Sequence, residues 1–354
     1  MPSHDVVIAG AAPAGSIAAL VLARAGKRVA LLDRTAFPRP KICGNCINPT
    51  AWETWRKLGL TDGYLALPHQ EITGFDIYSE GRELHRHDFP SPRHAPRVVA
   101  RDVLDDWLRR EAENAGAEFF PGTTVTGIDA KLGTLQTTRG EFRGELILGA
   151  DGRNSLVARQ AGLMPPPRRC HRVAWQTSIP APTHLGDRVQ MHVFEEGYFG
   201  FCRYNATHAV ISMVLDARRT QDPLLLARRF LPHLEQQEWL RMNPITRAPA
   251  RTGTGRVWLV GDAARVVEPF TGEGITFALA TGMLAAESTL ACRDQTDALA
   301  RYTREHRRLY RRRAWVNALV RWTLTTPSHV VRLTRKMERL PGVGFLSRRV
   351  HAAS

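Results

Sequence analysis

Cysteine is scarce in this chain, with five in 354 residues. So sparse and odd a set argues against a secreted disulfide framework and fits a reducing cytoplasm. No secretory leader is expected. MPSHDVVIAG passes straight into a strand, without the basic-then-apolar layout of a secretory signal. No apolar run is read as reaching the roughly 20 residues that span a bilayer. There is no internal repeat, no low-complexity segment and no second Cys-x-x-Cys beyond Cys43-Gly44-Asn45-Cys46. Zinc therefore has little support, since half a site stands with no histidine close by, and no metal is expected.

What is present suits a soluble globular protein. Hydrophobic content is 43% and charged content 23%, and the length allows one large domain or two interwoven ones. The net charge of +15 is unevenly placed: from Arg301 to Ser354, 14 Lys and Arg face only two acids, Glu305 and Glu338. A basic end of this kind calls for an anionic partner.

The segment HDVVIAGAAPAGSIAALVLARAGKRVALLDR reads as strand (Asp5 to Ala9), tight turn, helix (Ser16 to Ala25) and strand (Arg28 to Leu32), closed by Asp33. Gly10 permits the sharp exit from the strand, and Gly15 lets the helix pack closely. The helix N-terminus, with Ala12, Pro13 and Ala14, offers N–H groups to a pyrophosphate. Asp33 can accept from an adenosine ribose hydroxyl. Ala12 stands where the usual pattern has its middle glycine. The acid favours FAD or NAD over NADP.

Two later motifs follow. Gly149-Ala150-Asp151-Gly152-Arg153-Asn154-Ser155 comes after an apolar strand. Gly261-Asp262-Ala263-Ala264 follows the strand Val257 to Val260. Pro269 and Gly272-Glu273-Gly274-Ile275 then open a helix expected to run to about Leu290. Asp262 would lie at a strand's C-terminal end, where open α/β sheets bind ligands. Gly272 and Gly274 clear space for a flat ring, and the helix dipole would favour negative charge there.

In this order the three motifs resemble the FAD-dependent aromatic hydroxylase superfamily (group A flavin monooxygenases), and within it the geranylgeranyl reductase-like branch. The resemblance covers about residues 4 to 295. It implies that Asp33 holds the adenosine ribose, that Arg101 contacts FAD, and that Asp151 and Gly152 lie near the pyrophosphate. It places Asp262 on the ribityl chain and Gly272, Glu273, Gly274 and Ile275 at the isoalloxazine, with Gly261 and Pro269 beside them. Arg34, Lys41, Cys43, Gly44 and Val125 join the cofactor-binding set. The branch often carries Lys/Arg-x-Cys-Gly on the loop that holds KICGNC, matched by Lys41, Cys43 and Gly44. Cys46 is additional. Three readings of the two thiols stay open: a flavin-side packing loop, a redox dithiol, or an accident or metal ligand. The W-x-W-x-I-P element and catalytic lysine of halogenases have no counterpart, and the chain has only five lysines. Where the branch has Y-x-W-x-F-P, this sequence has Tyr198-Phe199-Gly200-Phe201, with Gly200 in place of Trp.

The expected fold is α/β. A Rossmann-type FAD-binding domain, a glutathione reductase-like βαβ unit with a three-motif FAD site, spans 1–67, 98–165 and 250–295. It is interleaved with an antiparallel β-sheet substrate domain, 68–97 and 166–249, and followed by basic amphipathic C-terminal helices, 296–354. Alternating stretches such as RVAWQTSI and RVQMHVFEEGYFGFCRY supply that sheet. Trp175, Met191, Phe194, Tyr198, Phe199 and Phe201 are candidate pocket residues. Tyr198 and Cys43 are the catalytic candidates.

The activity implied is FAD-dependent reduction or desaturation of a carbon–carbon bond in an apolar isoprenoid, polyketide or acyl substrate. Hydride would pass to or from carbon, Tyr198 or water would supply a proton, and NAD(P)H would donate electrons. The alternative is flavin-dependent monooxygenation, and a non-catalytic electron-relay flavoprotein is a third reading. The Arg-rich tail suits a membrane surface or an acidic carrier protein, giving a cytoplasmic, membrane-peripheral setting. No nucleic-acid motif accompanies it.

Overall fold

The computed structural model describes residues 4–324 except 42, 80, 90–95, 167–169, 183–184, 221, 223, 229–236, 243–246 and 268–271; the side chains of 312–324 also lie outside the description. Pro269 and the part of the expected C-terminal helical region beyond 324 fall outside it.

The first strand, His4–Ala9, is apolar on both faces and almost wholly buried, as a central parallel strand must be. It pairs in parallel with Gly140–Gly149 on one side and Val29–Leu32 on the other. Val257–Leu259 and Glu118–Phe120 extend the parallel order outward. The helix Pro13–Arg24 begins earlier than expected because Pro13 occupies its first turn, where a missing N–H costs nothing. It packs against the long helix Gly274–Ala291 through a small-residue crossing: a Cβ on Gly282 would lie 2.1 Å from the Ala14 carbonyl oxygen. One apolar layer lies on each face of this sheet.

Gly274–Ala291 corrects one expectation. Its length and composition are those of a membrane span, although half of it is buried inside the protein against the core.

The second sheet has seven strands, in the order Leu240–Met242, Arg172–Pro180, His208–Asp216, Gly197–Arg203, Arg188–Phe194, Gly74–Ser79 and Arg82–Asp88. It is mixed rather than antiparallel throughout. Gly74–Ser79 and Arg188–Phe194 run parallel, and the long chain between them, which includes the FAD-binding stretch 98–165, supplies the crossover that a parallel pair needs. Arg188 bridges Asp76 at 2.6 Å across this join. A small three-stranded sheet ties Cys46–Ile47 to Arg97–Val98 and Gln70–Glu71.

The last helix, Gln295–Leu324, lies on the FAD-binding layer. Ala298, Tyr302, His306 and Tyr310 recur every fourth residue and are buried, forming one inward stripe. Tyr302 stacks on Trp258 and donates to the Leu259 carbonyl at 2.6 Å, and Tyr310 stacks on Phe277 at 4.4 Å. The outward stripe is Arg301, Arg304, Arg307, Arg308 and Arg311, all exposed.

Candidate flavin site

The turn after the first strand is built by close approach. Gly10 has φ of +108°, and a Cβ there would sit 2.4 Å from the Ala150 carbonyl oxygen. A Cβ on Gly15 would sit 1.9 Å from the Gly10 carbonyl oxygen. Turn, helix and the Gly149-Ala150 strand end therefore form one packed unit. No side chain caps the helix at Ala12, which leaves its first N–H groups facing outward. Asp33 is buried and fastens the turn: its carboxylate accepts the Ala11 N–H at 3.0 Å and the Thr35 hydroxyl at 2.8 Å. Arg34 is exposed, and Val125 is half-buried against the sheet's second apolar layer.

Beside the turn lies a group of cations around Asp262. Lys41 is open to solvent yet surrounded by protein, and this enclosure, with Arg101 and Arg39 nearby, lowers its pKa. A Cβ on Gly152 would approach its Nζ at 3.9 Å. Burial also lowers the pKa of Arg153 and of Arg247. Asp262 faces all three cations. Arg247 donates to the Asp262 and Ala263 carbonyls and so shapes the Gly261-Asp262-Ala263 turn. Asp151 turns inward: it accepts the Leu156 and Val157 N–H groups at 2.7 and 3.2 Å, and burial outweighs these bonds to raise its pKa. Arg101 is likewise engaged, forking onto Asp105 with two 2.8 Å bonds and lying next to Cys43. Burial opposes its charge, but the Asp105 carboxylate prevails and raises its pKa.

The site is open where a flat ring needs room. Among the described residues, a Cβ on Gly44, Gly272 or Gly274 would meet nothing closer than 3.8 Å, whereas Gly261 is tight, 2.9 Å from the Ala14 Cβ. Gly272 has φ of +64°, which a side chain would strain. Glu273 is buried, Ile275 belongs to the core, and no side chain caps the helix that follows. Uncapped helix ends, enclosed cations and an open glycine cradle fit an anionic dinucleotide with a flat ring, so the residues present fit FAD.

The second sheet supplies the wall opposite. Gln176 bonds the Cys43 backbone, and Cys202 contacts the Gly44 carbonyl, so the face carrying these two side chains is turned to the KICGNC loop. Strand alternation puts Ala174, Met191, Val193, Tyr198 and Val214 on that face. Trp175, Phe194, Phe199 and Phe201 belong to the opposite face, where they pack with Ile211, Met213 and Leu226. This corrects the expected pocket: Tyr198 and Phe199 are adjacent and must point apart. The Tyr198 hydroxyl lies 3.5 Å from Arg172. His192 is a structural residue, stacked between Tyr78 and Phe199.

All five cysteines are free thiols. Cys43, Cys46 and Cys202 cluster around the loop, and burial pushes the Cys46 thiol up to about 12. Among the described residues no group of His, Cys, Asp and Glu could hold a metal ion. Sequence reasoning missed Arg39, Arg153, Arg247, Gln176 and Ser212 as contributors. Only Gln176, a polar residue directly after the apolar run Val173-Ala174-Trp175 in RVAWQTSI, left a readable signal.

The fold and site together define an FAD-dependent oxidoreductase. The chain belongs to the FAD binding domain family, which it matches over residues 3–314. It is 31% identical over 320 residues to menaquinone reductase of Mycobacterium tuberculosis, covering 80% of this chain and 76% of the relative. It is 33% identical over 310 residues to geranylgeranyl diphosphate reductase of Rhodobacter capsulatus, covering 81% and 75%. Its fold is that of PqsL from Pseudomonas aeruginosa, with a TM-score of 0.77, 17% identity and coverage of 95% of this chain and 100% of that one. It is also that of the myxobacterial halogenase CndH, with a TM-score of 0.74, 23% identity and coverage of 87% and 80%.

Proposed function

We propose that this chain reduces a carbon–carbon double bond in an apolar isoprenoid, either free or carried on a lipid or carrier protein, with NAD(P)H as electron donor. The observation that carries the reading is the apolar face of the second sheet, with Ala174, Met191, Val193 and Val214 turned toward the KICGNC loop. Two relatives support it, since both menaquinone and geranylgeranyl diphosphate carry polyprenyl chains.

Bound FAD supplies two-electron transfer to carbon. In this reading the chain's own residues do the rest. Lys41 and Arg153 offset the negative charge of the dinucleotide. The uncapped end of the Gly274–Ala291 helix favours negative charge in the cradle. The apolar sheet face excludes water from the substrate, and Tyr198, next to Arg172, holds the proton that the reduced carbon takes up.

The exposed arginine stripe of the last helix is the proposed docking site for an anionic surface, either membrane headgroups or an acidic carrier. Over its described part the helix spends its apolar stripe on the core, so this docking is electrostatic rather than insertive.

The test uses reduced holoenzyme with polyprenyl substrates, once without oxygen and once under isotopically labelled oxygen. A product two hydrogens heavier, formed without oxygen, is expected. A product that forms only in air and carries labelled oxygen would establish the monooxygenase alternative and refute this reading.

A further inference from the structure

The register of the second sheet aligns one row of residues across four strands: Gln176 opposite Ser212, Ser212 opposite Gly200, and Gly200 opposite Met191. The row lies on the face turned to the FAD-binding layer. Gln176 is 8% exposed. Its Oε1 accepts the Cys43 N–H at 2.7 Å, and its Nε2 donates to the Cys43 carbonyl at 2.7 Å. Residues 133 apart in sequence are thereby joined. A side-chain amide offers a donor and an acceptor side by side, so it reproduces the pair of bonds that a neighbouring strand would exchange with the Cys43 backbone. That backbone also fixes which way round the amide sits.

Among the described residues, the segment that Gln176 grips has no helix or strand from Asp33 until Cys46. The rest of the row makes room for it. Ser212 Oγ is buried without a hydrogen-bond partner among the described residues and would lie 4.0 Å from a Cβ on Gly44. Gly200 has no side chain, and one there would meet Met191 Sδ at 3.0 Å. A bulkier row would push the loop off the amide.

We infer that Gln176 is a positioning residue: it latches the Cys43-Gly44 backbone to the substrate sheet and so sets where the Cys43 thiol stands beside the flavin cradle. The substrate sheet, rather than the dinucleotide turn, then decides the loop's position, and a displacement of that sheet is transmitted to the loop. The inference rests on the flavin site but not on the proposed reaction, because its test needs no turnover.

The test uses FAD-loaded protein carrying Gln176→Met, which keeps the length and loses both bonds, and Gln176→Glu. Two readouts are taken: the rate at which N-ethylmaleimide labels Cys43, resolved by peptide mass mapping, and the visible flavin absorbance band. With each bond contributing about a factor of five, Cys43 labelling should rise roughly 25-fold in Gln176→Met, with FAD retained and the flavin band shifted. In Gln176→Glu the new carboxylate, with Arg101 and Arg153 near Cys43, would turn an acceptor onto the Cys43 carbonyl and release the loop at least as far. If Gln176→Met does not accumulate, Gln176→Glu carries the same two readouts. Unchanged labelling and an unchanged band would overturn the inference. So would a parallel rise at Cys46 and Cys202, which would mean that the whole sheet had loosened.

Discussion

Removing the Arg101 side chain separates two roles that this residue combines. Its guanidinium forks onto Asp105 with bonds of 2.8 Å, and the two side chains are 8% and 0% exposed. Arg101→Met strands a buried carboxylate, which costs about 3–5 kcal/mol. Arg39 remains at 3.5 Å from Asp105, so the lower end applies. A loss of about 3 kcal/mol is roughly a 150-fold fall in the folded-to-unfolded ratio. Arg101→Met with Asp105→Leu removes both charges, so its cost should fall short of the summed single costs by about 2 kcal/mol or more. Urea unfolding of the flavin-stripped protein, followed by tryptophan fluorescence, measures these values. FAD titration of the same variants asks the second question. If Arg101 also contacts the cofactor, the double variant recovers stability but not FAD affinity. An Arg101→Met variant within about 0.5 kcal/mol of the parent, or strictly additive costs, would refute the buried-pair argument.

Two further outcomes follow from burial. His192 and His306 are held neutral with pKa values lowered from 6.5 to about 4, mainly by burial. Each therefore contributes stability that is complete above about pH 6.5 and is lost as pH falls toward 4, roughly 3 kcal/mol apiece at the limit. His192→Phe, which keeps the stack between Tyr78 and Phe199, should flatten the acid side of a stability-versus-pH curve; an unchanged slope between pH 6.5 and 4 would contradict this. Cys46, pushed up to about 12, should react with iodoacetamide at pH 8 at least about 100-fold more slowly than a free thiol, and peptide mapping would expose the opposite result.

The dinucleotide turn was legible because its causes are local. An apolar run, Gly10, a small-residue helix and Asp33 all fall within 30 residues, and each constrains its neighbour by direct contact. Trp175, Phe194, Phe199 and Phe201 were misplaced for the converse reason. Parity along a strand says that Tyr198 and Phe199 diverge, but not which of them meets the flavin layer. That choice is made by Gln176 reaching Cys43, a contact between distant segments. The last helix shows a third limit. Alternating Arg and apolar residues fit a membrane-lying helix and a core-docked one equally well, and Ala298, Tyr302, His306 and Tyr310 reveal the second only once Trp258 and Phe277 are in place beside them.

The same dependence on distant contacts decides the two thiols of KICGNC. A redox Cys-x-x-Cys works when a helix N-terminus or nearby cations stabilise one thiolate. Here Cys46 opens a strand, paired with Val98, rather than the first turn of a helix. Its surroundings are Ile72, Val98, Cys202 and Val210, an apolar cluster that disfavours the charged form. Cys43 differs in every respect: its backbone is gripped by Gln176, and Arg101 stands next to its sulfur. Two cysteines that look equivalent in sequence thus have different neighbours. The asymmetry favours a packing loop that presents one thiol to the flavin site over a dithiol pair that shares electrons.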